Sequence, residues 1–351
     1  MRMFVKQWSA VLIAVSAVSF LTRPATAKVT ADYTVTKTVS IGSPDRWDYL
    51  HFDPVSQRLY VAHGNSLTVI NGRDGTVIGK MTDMPGGSHG IGIVHSTGTG
   101  YTDDGRNGTV IAFSLKTLKP LKTIKALPDA DGIIFDKYSG HVFVIDGDSE
   151  KVTVIDPKMN KVIATVDGGG ALEFGVSGEN GKLYVDGAEK NEIVRIDTSI
   201  NKADAHWPLR DCVSPHGIAI DRATNRLFIS CRNARLDVVD EKNGKNIVSL
   251  PIGHGTDAAG FDPVRHLIFS SNFDGTLSVI SEDGKDKYSL RQTVKTAIGA
   301  RTMALDPRMG RIYLATADYT INEPAKPSDF RHRYKLKKGS AKILFFDVKN
   351  K

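Results

Sequence analysis

The chain has 351 residues, with 46 Lys and Arg against 39 Asp and Glu, and two cysteines. That near balance excludes a broad basic face able to grip nucleic acid or an anionic membrane by charge alone. The length would ordinarily suggest two or three domains, but most of it is taken up by a single repeat of ~42 residues.

In chain order, the first element is a leader. Met1–Trp8 carries Arg2 and Lys6 and no acid, and Ser9–Leu21 is an apolar run too short and too lightly flanked for a spanning helix. Ala25-Thr26-Ala27 supplies an A-x-A cleavage site, so residues 1–27 read as a secretory signal peptide, cleaved before Lys28. A membrane anchor is the competing reading. Cleavage would leave a periplasmic or secreted chain with no membrane span, in which 43 Lys and Arg face 39 acids, a net charge of +4. Much of that excess lies in Arg331-His332-Arg333-Tyr334-Lys335-Leu336-Lys337-Lys338.

Next come a strand that alternates polar and apolar residues over Tyr33–Ile41 and then seven copies of one pattern. Each copy opens on a short strand A of small or apolar residues that stops at a polar turn: Asp53-Pro54, Asp136, Asp221, Asp262-Pro263, Asp306-Pro307. Strand B is a near-continuous apolar run such as Leu59-Tyr60-Val61, Val142-Phe143-Val144 or Ile312-Tyr313-Leu314, suited to a sheet covered on both faces. Strand C resembles Leu67–Ile70, and strand D is a more polar outer edge such as Lys161–Val166. Four short strands per repeat, seven times over, predict an all-β, seven-bladed β-propeller of four-stranded antiparallel blades spanning 28–351 as one monomeric domain. The second repeat has Gly100-Tyr101-Thr102 where the others have a Leu-Tyr-Val core, which predicts a less regular blade. The seventh lacks a strand D of its own, so Tyr33–Ile41 is expected to complete it and close the ring.

Within the fifth repeat, Cys212 precedes strand A and Cys231 ends strand B, points that fall at the same end of an antiparallel blade. In an exported protein a Cys212–Cys231 disulfide is expected, with a metal site shared with His216 as the alternative. In the seventh repeat, residues 318–340 form an insertion between strands B and C, either a lid over one end of the ring or a solvated tether.

Five stretches stand out: Arg46-Trp47-Asp48-Tyr49, Leu59-Tyr60-Val61, Leu227-Phe228-Ile229-Ser230-Cys231-Arg232-Asn233, Asp274-Gly275-Thr276-Leu277 and Ala300-Arg301-Thr302-Met303-Ala304-Leu305-Asp306. On these residues the blades resemble YVTN-repeat propellers, and the mature chain resembles the YncE-like periplasmic subfamily. The resemblance implies the fold and the subfamily, and no single reaction.

Five residues before the turn that ends each strand A stand Asp48, His89, Asp131, Leu172, His216, Asp257 and Arg301, with Glu173 beside Leu172. In a propeller these positions ring one mouth of the central channel, next to small apolar residues where unpaired charge is costly. Asp48, His89, Asp131, Glu173, His216, Asp257 and Arg301 are therefore the candidate ligand site. A solvated rim with structural ion pairs would give the same residue types. His89, His216, Asp131, Glu173 and Asp257 are an O/N donor set that suits a divalent Zn, Mn or Ca ion. The chain contains no H-E-x-x-H, C-x-x-C-H, G-x-S-x-G or phosphate-cradling glycine motif. The expectation is a binding protein for a small molecule, metal ion or protein segment at the mouth. A metal-dependent hydrolase or lyase of lactonase type in the same funnel is the alternative, and nucleic-acid binding through 331–338 the weaker one.

Overall fold

A computed structural model describes residues 32–322 and 334–349, so residues 1–27, read above as a signal peptide, and Arg331–Arg333 lie outside the described residues. There are seven four-stranded antiparallel sheets; six are meanders of consecutive strands running from innermost to outermost, and the seventh takes its outermost strand from the other end of the chain. The turn chemistry explains the regularity. The aspartate that ends strand A accepts backbone amides two or three residues on: Asp53 from Val55 at 3.0 Å, Asp221 from Ala223 at 3.0 Å, Asp262 from Val264 at 2.8 Å. The residue four places after it, such as Gly140, Gly310 or Asn225, adopts positive φ and turns the chain into strand B.

Strand B of every blade is almost wholly buried, because neighbouring sheets cover both of its faces. The core consists of apolar clusters between blades. One of them joins Phe269 and Leu277 to Met303, Leu314 and Phe346. The second blade is as regular as the rest, contrary to the expectation from Gly100-Tyr101-Thr102. The missing side chain is replaced by a neighbour: a Cβ on Gly100 would stand 2.2 Å from the ring of Phe113, which fills that space.

The ring closes as expected. Tyr33–Ser40 pairs antiparallel with Lys342–Val348, from Tyr33 opposite Val348 to Ser40 opposite Lys342, and becomes the outermost strand of the seventh blade. Tyr33 is buried against Phe269 at 5.2 Å, and its backbone exchanges two hydrogen bonds with the Gln292 amide of the sixth blade.

The 318–340 insertion carries a small hairpin, Tyr319–Ile321 against Tyr334–Leu336. Its base is fixed: Asp45 accepts the amides of Gly339 and Ser340 at 2.8 and 2.9 Å, and Asp318 pairs with Lys342. The expected bridge is present, with Cys212 and Cys231 joined and their Cα atoms 5.4 Å apart. Among the described residues no helix is long and apolar enough to cross a membrane.

Candidate functional site

The innermost strands all begin at one end of the ring, so the predicted register brings its residues to one mouth. Asp131, His216 and Asp257 lie in the first two residues of their strands, while Asp48, His89, Glu173 and Arg301 come just before theirs. Glycine lets these strands crowd together. A Cβ on Gly90 would fall 2.0 Å from the carbonyl of Asp131, and one on Gly217 would fall 2.6 Å from the backbone of Ala258. Leu172 turns into the core and Glu173 takes its place at the mouth, its amide bonded to Asp186 O at 3.0 Å.

One side of the mouth is acidic. Glu173 accepts from the Tyr49 hydroxyl at 3.3 Å, and its other oxygen lies 3.2 Å from His216 Nε2. His216 is 4 % exposed, and its Nδ1 is 3.0 Å from the Ser214 carbonyl, an acceptor only. That contact assigns the ring proton to Nδ1 and leaves Nε2 facing a carboxyl oxygen, so a proton must sit between Glu173 and His216. Burial pushes the Glu173 carboxyl well above the usual range, and the Asp257 charge adds to this while Arg232 opposes it. Burial, helped by the charges of Asp48 and Glu173, does the same to Asp131, whose buried Oδ1 has no partner among the described residues.

Asp257 is held differently. Burial works against its charge, but Arg301 at 2.8 Å, His216 and Arg232 at 3.2 Å keep its carboxyl below the ordinary value. One acid at the mouth is therefore fixed as a carboxylate while its neighbours favour the neutral form.

The other side is basic. A cavity of about 410 Å³ is bounded by Arg46, Arg106, Arg301, His89, Trp47 and Asp48, among others. Burial alone would lower the His89 pKa, but the 2.7 Å bond from Nδ1 to Asp103 and the Asp103 charge outweigh it and raise the ring to about 9. Asp103 also accepts the amides of His89 and Gly90, which holds the ring in place. Burial pushes Asp48 up to about 6, with Arg301 pulling it down and Asp257 pushing it up. A second cavity of about 290 Å³ adjoins the first and shares Arg46, Trp47 and Arg301 with it. Asp45, Phe273, Tyr319, Tyr334 and Leu336 complete its wall.

The five proposed metal ligands do not form one set. Glu173, His216 and Asp257 have donor atoms within 4.8 Å of one another, whereas His89 is committed to Asp103. His254 stands exposed, its amide on Asp274 at 2.7 Å. Sequence reasoning missed Asp103 and the tyrosines of the insertion. The signal for Asp103 was weak: it is an acid in a strand B, at a position where the fourth blade also carries one, Asp186, and the other blades carry Ala, Ile or Ser. At the far end of the channel lies an apolar cavity of about 430 Å³ with His51 and the His95–Asp53 pair at its edge.

No family model matches the chain, and no curated protein matches it. Solved structures do. Hydrazine synthase of Kuenenia stuttgartiensis superposes with a TM-score of 0.69 at 13 % identity, covering 79 % of this chain and 94 % of that one. The WD40 repeats of RRP9 superpose with a TM-score of 0.71 at 10 % identity, covering 92 % of this chain and 99 % of that one. Identities this low establish the propeller fold alone.

Proposed function

We propose that this protein is an exported, periplasmic propeller of the YncE-like kind that captures a small ligand at the charged mouth of its channel. One observation carries the proposal: the mouth gathers more buried carboxyls than it has cations to match. Asp48, Asp131, Glu173 and Asp257 face Arg301, Arg232 and His216; both guanidinia are spent on Asp257 and His216 is shared with Glu173. Asp131 keeps an oxygen without a partner among the described residues. Such an arrangement penalises the folded state unless a ligand uses it. A thermal-shift screen of small polar compounds tests this, run on the wild type beside Glu173→Gln and Asp131→Asn. The expected result is a stabilising compound whose shift disappears in the variants while they remain folded. Compounds whose shifts ignore both substitutions and also Arg46→Ala/Arg106→Ala would place binding elsewhere.

A second reading has its own support. Glu173, His216 and Asp257 lie close enough to hold one divalent ion, which would serve a hydrolase or lyase by activating water or polarising a carbonyl. Asp257 argues against it, because a dication there would compete with Arg232 and Arg301 for the same carboxylate. Equilibrium dialysis against Zn²⁺, Mn²⁺ and Ca²⁺ decides between them. Stoichiometric binding lost in His216→Ala would favour the metal site. Equal, weak binding by both proteins would remove it.

A further inference from the structure

The two cavities at the mouth differ in chemistry and share a wall, and together they describe one ligand. The larger is cationic. Arg46 and Arg106 are exposed, line it, and make no ion pair among the described residues. His89 adds a third positive group, held in place from behind by Asp103. Among the described residues Asp48 is the only acid on this wall, and Arg301 is tied to Asp257. Trp47 lies at the seam, and its buried indole N–H finds no acceptor among the described residues. The smaller cavity is mainly aromatic, and the one acid on its wall among the described residues, Asp45, accepts the Gly339 and Ser340 amides. Tyr319 and Tyr334 meet edge-on at 6.0 Å, and both contact Phe273, at 6.3 and 5.9 Å.

We infer that the ligand is a small organic anion bearing an aromatic ring, a carboxylate or phosphate monoester set among Arg46, Arg106 and His89 with its ring between Trp47, Tyr319 and Tyr334. This rests on the mouth being the binding site, and places an anion on its basic side, in a cavity whose lining does not include Asp131 or Glu173. The chemistry is complementary: guanidinium forks match carboxylate and phosphate oxygens, and ring edges and faces prefer offset or T-shaped neighbours. It also accounts for the insertion, whose hairpin brings two tyrosines to a mouth that the seven repeats alone would leave open on that side.

Isothermal titration of the full mature chain with five probes separates charge from ring: phenylacetate, phenyl phosphate, acetate, phenylacetamide and phenethylamine. The two aromatic anions should bind. Acetate should bind at least about tenfold more weakly, and the neutral amide and the amine weaker still. Arg46→Ala/Arg106→Ala, which changes exposed side chains only, should weaken both aromatic anions by about tenfold or more. Tyr334→Ala should narrow the gap between phenylacetate and acetate. The ratio of phenyl phosphate to phenylacetate then assigns the headgroup. Amide or amine binding as tight as the acids would overturn the inference, as would no heat from either aromatic anion at roughly 10 mM. If the amine binds and Glu173→Gln abolishes it, the anion inference fails and the mouth stands. If the anions bind and neither the arginine pair nor Glu173→Gln alters them, the site is elsewhere and both readings fail.

Discussion

Asp48 and His89 start neighbouring innermost strands, and their surroundings push their protonation in ways that stability measurements can separate. Asp48 is raised to about 6, chiefly by burial, above the ordinary ~3.9 of an unfolded chain. A carboxyl raised on folding favours the protonated form, so its ionisation destabilises the fold as pH rises from about 4 through 6. Asp48→Asn should therefore match the wild type at pH 4 and exceed it by about 1–2 kcal/mol at pH 7.5 in urea melts. A variant less stable at pH 7.5 would mean that the Arg301 interaction dominates. His89 runs the other way. Its pKa of about 9 exceeds the unfolded value, so its stabilisation is complete below ~6.5 and fades as pH rises through 9. Asp103→Asn should cost about 3 kcal/mol at pH 6 and much less at pH 9.5, and should return the His89 ring toward 6.5 in an NMR titration. The sequence made Asp48 and His89 legible because both sit at a fixed distance from a turn. Asp103 was not legible, since its partner is thirteen or fourteen residues away across a strand pairing.

At the scale of elements, the turns carried most of the readable information. An aspartate that accepts its own downstream amides, followed by a residue at positive φ, is a local device and shows in local sequence. The second blade shows where local reading stops. Gly100 looks like a gap in the strand pattern, and only the ring of Phe113, one strand over, reveals that the gap is filled. The insertion was legible as a length and not as a hairpin, because three-residue strands leave no periodic signal. The disulfide was predicted from topology, and its consequence reaches the mouth. Cys212 lies two residues before Ser214, whose carbonyl fixes His216 Nδ1. Replacing both cysteines with serine opens a loop of 19 residues and should lower stability by about 3 kcal/mol on the chain-entropy model. It should also weaken ligand binding at the mouth through His216 while leaving the far-UV spectrum unchanged. Unaltered binding with reduced stability would confine the bridge to a structural role.

For the whole molecule, the ring is held shut by a strand from the other end of the chain, and this was readable as a deficit: seven repeats, six outer strands and one spare. Tyr33–Ser40 shields Ile343, Leu344, Phe345 and Phe346 on the strand it pairs with, and Tyr33 bolts the seventh blade to the sixth through Gln292. Deleting 32–41 would expose that strand as an open edge, an invitation to intermolecular pairing. It would also remove the packing of Val39 against the cluster shared by the seventh and first blades. The expected loss is on the order of 5 kcal/mol, which for a chain of this size lowers the melting temperature by about 10 °C or more. Because the lost element is a single strand, a synthetic peptide of residues 32–41 added in excess should bind the vacated edge and recover part of the loss. A truncated protein that melts with the wild type would show that the six complete blades and the three remaining strands of the seventh hold the ring without a latch. A truncation that the peptide cannot rescue would show that closure requires covalent continuity through Asp45, the residue that anchors the insertion to the same end of the ring.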